Sequence, residues 1–319
     1  MKLRALVLIL TVALAGTLGN AAENPLKPGP IKWCYAAKEG VEVHSKAGGS
    51  DKPVVKLTRG ALLPAYATKK SGQTEWLQVV VVDPGLLTQR SGWVNPADVE
   101  VLDAAEFPHD DKLLALSGAP FVEDFAAENT AVARYLLRTK DAGSVLICYF
   151  GTVVLPQTRL QVFIKVNGKF RLGTSFDFPF SEMKSAITSL EARDLVGDGN
   201  DFLVTREPFH AGPMNVGVDL VLRRMSGNQL NTVWKAPIEA KNFASYPPRL
   251  DIQDPVEANI GRPGTDTKGE VEFRARGSLT DIAWKGEVNF HALGREKPLE
   301  TIPLERLWSW DGAQFSPRR

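Results

Sequence analysis

The chain is poor in the residues from which chemistry is most readily assembled. Its 319 residues include only two cysteines and four histidines. His44, His109, His210 and His291 are far apart and show no zinc or triad spacing, so no metallohydrolase or nucleophile–His signature can be built from them. Charge of one sign is also missing. The net charge is +1, which argues against the basic face of a nucleic-acid-binding protein and against a polybasic membrane clamp. Beyond the first twenty residues no stretch is apolar enough, for long enough, to cross a bilayer as a helix. Helical periodicity is scarce as well.

What is present begins with an export-type leader. Lys2 and Arg4 precede an apolar run from Leu6 to Leu18. Gly19-Asn20-Ala21 then offers small residues at the positions a signal peptidase reads, which predicts cleavage before Ala22. No Cys follows the run, so no lipid attachment site is expected. Removing Lys2 and Arg4 takes the net charge from +1 to −1. The expected location is periplasmic or secreted, and the mature chain is not expected to span a membrane. About 300 residues allow two domains with real cores.

Short strand-like segments bounded by Gly, Pro, Asp and Ser dominate, and the fold class read from them is all-β. In the first third these are Val41-Val43, Val54-Leu57, Leu62-Ala67, Trp76-Val82 and Gly92-Val94. The unbroken run Val79-Val82 predicts a strand covered on both faces. Asp83-Pro84-Gly85 is strong turn chemistry, but the loop to Arg90 is longer than a tight hairpin needs. Residues 103–128 read as a linker, with room for a short helix at Leu113, Leu114 and Leu116 before Gly118 and Pro120 end it. Residues 129–319 then form a β-rich domain, with eleven strand candidates from Ala131-Arg138 to Leu304-Trp310.

Four segments of the first region occur in a telling order. They are Gly40-Val41-Glu42-Val43-His44-Ser45, Val54-Val55-Lys56-Leu57-Thr58-Arg59-Gly60, Glu75-Trp76-Leu77-Gln78-Val79 and Ser91-Gly92-Trp93-Val94-Asn95. This order resembles the bacterial SH3-like family over residues 32–102. The resemblance implies a small β-barrel that serves as an envelope-facing binding module, able to fold without the residues after Leu102. It implies a ligand face carrying Tyr66, Trp76 and Trp93, although core packing is the competing role for Trp93. Gly60 ends an apolar strand and Gly92 precedes the closing Trp, so each is expected to need either φ > 0 or a close approach of backbone.

A second resemblance is local. Arg193-Asp194-Leu195-Val196-Gly197-Asp198-Gly199-Asn200-Asp201, within residues 187–206, is similar to the aspartate-glycine turn of FG-GAP-type propeller blades. Some turns of that family hold calcium. Here Val196 stands where a ligand oxygen is wanted, so Asp194, Asp198 and Asp201 fall short of the six or more oxygens calcium takes. A structural turn is the expectation, with a calcium site as the alternative. Asn167-Gly168, Gly227-Asn228 and Asp311-Gly312 look like three hairpin turns. They suit three successive sheet units, as in a propeller fragment or stacked sheets, or three unrelated hairpins.

Cys34 and Cys148 leave two readings open. A bridge would tie the two regions together across a long loop, worth about 3–5 kcal/mol. Otherwise both are buried thiols acting as small hydrophobes. Cys148 lies in a β-like run, whereas the thiol hydrolases that accompany SH3-like modules place their Cys at a helix start, so no catalytic residue is assigned. The function expected is a non-enzymatic envelope protein, without cofactor, that binds peptidoglycan or an envelope protein. A cell-wall hydrolase using the small domain for targeting, or a structural subunit of an envelope complex, is the alternative.

Overall fold

A computed structural model describes residues 29–117, 130–140, 143–152, 158–178, 187–210, 215–242, 264–277, 279–291 and 297–318. The leader expected at residues 1–21 lies outside the described residues. The chain is all-β, built of antiparallel sheets with a single α-helix among the described residues. None of the sheets closes into a barrel.

The first region contains β1 (Lys32–Tyr35), β2 (Val41–Val43), β3 (Val55–Leu57), β4 (Leu62–Ser71), β5 (Thr74–Asp83), β6 (Thr88–Val94) and β7 (Glu100–Asp103). Five of these make an open sheet in the order β6-β5-β4-β1-β7, and β2-β3 form a separate ribbon. The expected barrel is thus left open. Paired backbone bonds between His44 and Trp93, at 2.8 and 2.9 Å, stitch ribbon to sheet. Val79 and Val81 are buried while Val80 and Val82 are half-buried, so the apolar run has one fully covered face rather than two. In β4 the register shifts between Ala65 and Ala67, which makes Tyr66 the extra residue of a bulge.

Helix α1 (Asp110–Leu116) follows, and Ser117 ends it by donating its hydroxyl to the Leu113 carbonyl at 2.8 Å. Next come β8 (Thr130–Thr139), β9 (Gly143–Thr152), β10 (Thr158–Val166) and β11 (Lys169–Phe178), a four-stranded sheet in the order β11-β10-β9-β8. This sheet is the middle layer of the molecule. Val145, Ile147 and Tyr149 of β9 enter one core, and Leu146, Cys148 and Phe150 enter a second on the other face. A strand covered on both sides has no polar face to alternate with, hence its continuous apolar run. The first core also takes in Cys34, Ala61, Leu63, Leu77 and Val79 of the first region. The second is closed by Trp33, Tyr35 and α1, with Asp110 paired to the buried Arg134 of β8. Packing therefore runs through the boundary expected at residues 103–128. A chain ending at Leu102 would leave the first-region residues of both cores without their partners.

The long β5–β6 loop has a physical reason in this packing. Leu87, only 6% exposed, is carried by it onto Gly151 of β9, where a Cβ would lie 2.2 Å from a Leu87 methyl. The cysteines also follow from alternation. β1 sends Trp33 and Tyr35 to the face that meets Cys148 and turns Cys34 to the opposite face. Both are free, buried thiols in different cores, so the bridge considered above is not formed.

The remaining strands are β12 (Ser189–Arg193), β13 (Phe202–His210), β14 (Asn215–Ser226), β15 (Gln229–Asn242), β16 (Thr265–Arg276), β17 (Leu279–Phe290), β18 (Glu300–Trp310) and β19 (Phe315–Pro317). They form one eight-stranded meander in sequence order. Two of the three expected hairpin turns lie in this sheet and one in the four-stranded sheet, so they do not mark three equivalent units. At Asn167-Gly168 both residues have positive φ (50° and 77°), as a type I′ turn requires.

The large sheet folds over on itself between β15 and β16. These two strands pair only from Glu239 to Asn242, opposite Thr265 to Lys268, and diverge beyond. Trp284 of β17 fills the divergence. It is fully buried, it donates its Nε1–H to the Pro237 carbonyl at 2.9 Å, and its ring passes over Gly269, where a Cβ would lie 2.2 Å away. The two halves then meet through Phe202, Trp234, Trp308, Trp310 and Phe315, with Trp234 edge-on to Trp308 at 5.4 Å.

Candidate functional site

Away from that aromatic seam the two halves of the large sheet stay apart and enclose a cleft of about 1090 Å³. Val204, Leu220 and Ile238 from β13, β14 and β15 give it an apolar floor. One wall comes from Ser189, Glu191 and Arg193 of β12, and the other from Lys268 to Val271 and Phe273 of β16. Thr58 of the first region also lines it.

The walls are held in place before any ligand arrives. Arg193 pairs with Glu191 through its Nε and lies over the Phe273 ring at 4.8 Å, so a cation, a carboxylate and an aromatic face brace one another across the opening. Burial pushes the Glu191 carboxyl above its ordinary range, an effect opposed by Arg193 and reinforced by Glu39. Arg206, on the same face of β13 as Val204, is exposed and makes no ion pair among the described residues. The arrangement offers an aliphatic surface rimmed by charge of both signs, with Lys268, Glu270, Lys285 and Glu287 beside an Arg206 that has no ion-pair partner among the described residues and can meet the acidic group of a ligand with an apolar body.

The other edge of β12 is welded to the first region. Arg59 accepts from the Ala192 N–H, donates to the Ala192 carbonyl and pairs with Asp201 at 2.8 Å. Asp201 is 2% exposed, and its second oxygen accepts the Arg138 N–H of β8 at 2.9 Å. Gly60 makes this approach feasible. Its φ is 95°, and a Cβ there would lie 2.5 Å from that of Ala192. Gly92 meets the other half of its expectation, close approach: a Cβ would lie 2.5 Å from a Val43 methyl.

The aspartate turn is occupied by protein groups. Asp194 accepts the N–H groups of Gly197 and Gly199 at 2.8 and 3.0 Å. Asp198 accepts from Asn200 and pairs with Arg224. Burial alone would raise the Asp198 carboxyl, but the bonds from Arg224 and the Asn200 N–H outweigh it and hold the group below its ordinary range. With Asp201 turned to Arg59, the three carboxylates face three different sets of donors. No group of three or more metal-ligating side chains occurs among the described residues.

Of the three aromatics expected to form one ligand face, Trp76 and Trp93 lie on the same side of the β5–β6 pair, since Trp93 stands opposite Gln78. Trp76 is 7% exposed, edge-on to His44 at 5.9 Å and beneath Gly49, so its ring supports the 44–51 loop. Tyr66 and Trp93 are half-buried, and no ring contact among the described residues joins the three. His44 is itself bonded to the Asp51 carbonyl at 3.0 Å. Cys148 is fully buried, and burial pushes its thiol up to about 12, against a lowering by Arg134. A thiol in that state has almost no nucleophilic thiolate near neutral pH.

The cleft residues were not singled out in the sequence. Their one local signal is Glu191-Ala192-Arg193, two charges on one face of a strand that leads into the aspartate turn. No family model matches the chain, and a search of curated proteins finds no match.

Proposed function

We propose that this is an exported, non-enzymatic binding protein of the cell envelope whose ligand occupies the cleft of the large sheet. The observation that carries the reading is the cleft itself, an apolar floor between braced charged walls lined also by Arg206, which makes no ion pair among the described residues. Its size lies just above the range of small-molecule sites, on the order of 300–1,000 Å³, which leaves room for a short peptide. The export leader and the SH3-like segment order support an envelope setting, and cell-wall peptides, which carry carboxylates on short aliphatic chains, fit the chemistry. The first region acts in this reading as a rigid brace, fixed to β12 through Arg59. The inert Cys148 thiol weighs against a thiol hydrolase.

Binding of purified sacculi and of soluble cell-wall peptides by wild type, Arg206→Glu, Ser189→Trp, Tyr66→Ala and Trp93→Ala tests this. Arg206→Glu reverses the free charge and Ser189→Trp fills the cleft. Both should weaken binding tenfold or more, about 1.4 kcal/mol, while the Tyr66 and Trp93 variants bind as wild type. Loss confined to the Tyr66 and Trp93 variants would put the ligand on the first region instead. Absence of binding by wild type would end the cell-wall reading.

A further inference from the structure

The near-neutral total charge conceals an uneven distribution. No Asp or Glu occurs from Ala142 to Phe176, nor from Leu220 to Ile238. Those stretches hold the β10–β11 and β14–β15 hairpins, and the fold brings the two hairpins into contact. The Leu230 N–H donates to the Thr174 hydroxyl at 3.4 Å, and the Asn228 carbonyl approaches Gly173 so closely that a Cβ there would lie 2.9 Å from it. Two acid-free segments of different sheets thereby form one surface.

The cations on this surface divide into two kinds. Arg223, Arg224, Lys235 and Arg159 are each paired with a carboxylate: Glu207, Asp198, Asp219 and Asp177. Lys165, Lys169 and Arg171 are exposed and make no ion pair among the described residues. They straddle the Asn167-Gly168 turn. Lys165 stands opposite Phe170, and Arg171 opposite Ile164, so positive charge projects from both faces of the hairpin. Next to them Leu172 is 38% exposed, one of few large apolar side chains left open to solvent, and Val166 and Phe170 are half-buried. Leu172 shares a face with Lys165, which lies over the Phe170 ring at 5.7 Å, while Lys169 and Arg171 are on the other face, so an approach along the β11 edge brings cations of both faces and Leu172 to one surface, as anionic headgroups over acyl chains require.

We propose that the β10–β11 hairpin docks the protein peripherally on an anionic lipid surface, with Lys165, Lys169 and Arg171 at the headgroup phosphates and Leu172 at the acyl boundary. The site is separate from the cleft, and the proposal stands whether or not the cleft reading does. Attraction of this kind amounts to about fivefold in affinity for each cation near the surface, and it is screened over roughly 8–10 Å at physiological salt.

The test is sedimentation of the chain from Ala22 onward, which lacks only the apolar leader, with vesicles. One set is phosphatidylcholine alone and the other contains roughly one-third phosphatidylglycerol. Wild type should bind the anionic vesicles alone and release them as salt rises. Lys165→Gln/Lys169→Gln/Arg171→Gln should lower partitioning on the order of a hundredfold. Leu172→Ser should lower it a few-fold without changing the salt dependence. All four side chains are exposed, so the variants should melt as wild type. A control with the same charge change, Lys46→Gln/Lys52→Gln/Lys70→Gln, should bind as wild type. Equal loss in that control, equal binding to neutral vesicles, or capture by an anionic polysaccharide with no vesicle binding would each overturn the proposal.

Discussion

At the bend between β15 and β16 the large sheet closes on itself with apolar material, whereas at β12 it is joined to the rest of the chain by charge. The first junction is Trp284 over Gly269, backed by Trp234, Trp308 and Phe315. The second is Arg59 with Asp201, backed by backbone bonds to Ala192 and Arg138. The two differ in tolerance. An apolar contact loses energy with the area removed and with whatever cavity its neighbours fail to fill. A buried ion pair is unforgiving, because removing one partner strands the other. The cleft lies between the two junctions, so both control how far its walls stand apart.

The largest effect should come from the apolar junction. Trp284→Ala removes a fully buried ring from a place where two strands have already separated, so the cavity cannot collapse by strand pairing. A loss of about 3–5 kcal/mol is expected, read as a shift in urea midpoint at unchanged slope. A loss under about 1 kcal/mol would mean that the two halves hold together without the ring.

This contrast also marks what could be read from the sequence. The all-β class and most strands were legible, because alternation in Leu160-Val166 and Val271-Arg276 and the turn residues between strands are local signals. The bend at Gly269 was not, since nothing nearby in sequence says that Trp284 will lie across it. The strand Lys32–Tyr35 was missed because its alternation serves two different cores and reads as unbroken apolar chain. The barrel expectation failed for a related reason. Four short segments in family order do not tell whether the last bonds close the sheet or whether, as here, Leu87, Ala61 and Tyr35 are turned outward to other layers. Of the expected site residues, Asp194 holds the backbone of the aspartate turn, a local signal, while the cleft is assembled from β12, β13 and β16 and has no local string.

The polar junction should give the next largest effect. Asp201→Ala leaves Arg59 and the Arg138 N–H without their acceptor. Arg59 is partly exposed and can be rehydrated, so the loss should be near the lower end for a broken buried pair, about 3 kcal/mol. Calcium should not rescue it. Wild type and variant alike should change in melting temperature by less than a degree or two when calcium is added or chelated, since a ligand present well below its Kd contributes almost nothing. A calcium-dependent shift in wild type that Asp198→Ala removes would return the turn to a metal site.

The smallest effect separates the two edges of β12 by pH. On the welded side Asp198 has its folded pKa depressed, because the bonds it accepts from Arg224 and Asn200 outweigh burial. The unfolded chain then binds more protons than the folded one near the ordinary carboxylate value, about 3.9. Its contribution is present above that value and is lost as pH falls through the folded one. On the cleft side Glu191 is raised, chiefly by burial. Here the folded chain binds more protons, so the contribution is complete below the ordinary glutamate value, about 4.3, and fades as pH rises through the folded one. Replacing each by its amide should therefore have opposite pH signatures. Asp198→Asn should be less stable than wild type at pH 7 and approach it in acid. Glu191→Gln should lose ground to wild type in acid and gain on it as pH rises, by less than either junction variant loses. Urea midpoints of the three proteins across roughly pH 4 to 7 would read both trends. Parallel curves for the two variants would mean that the cleft wall is as polar and as wet as the turn, and the cleft would then have no dry surface to offer a ligand.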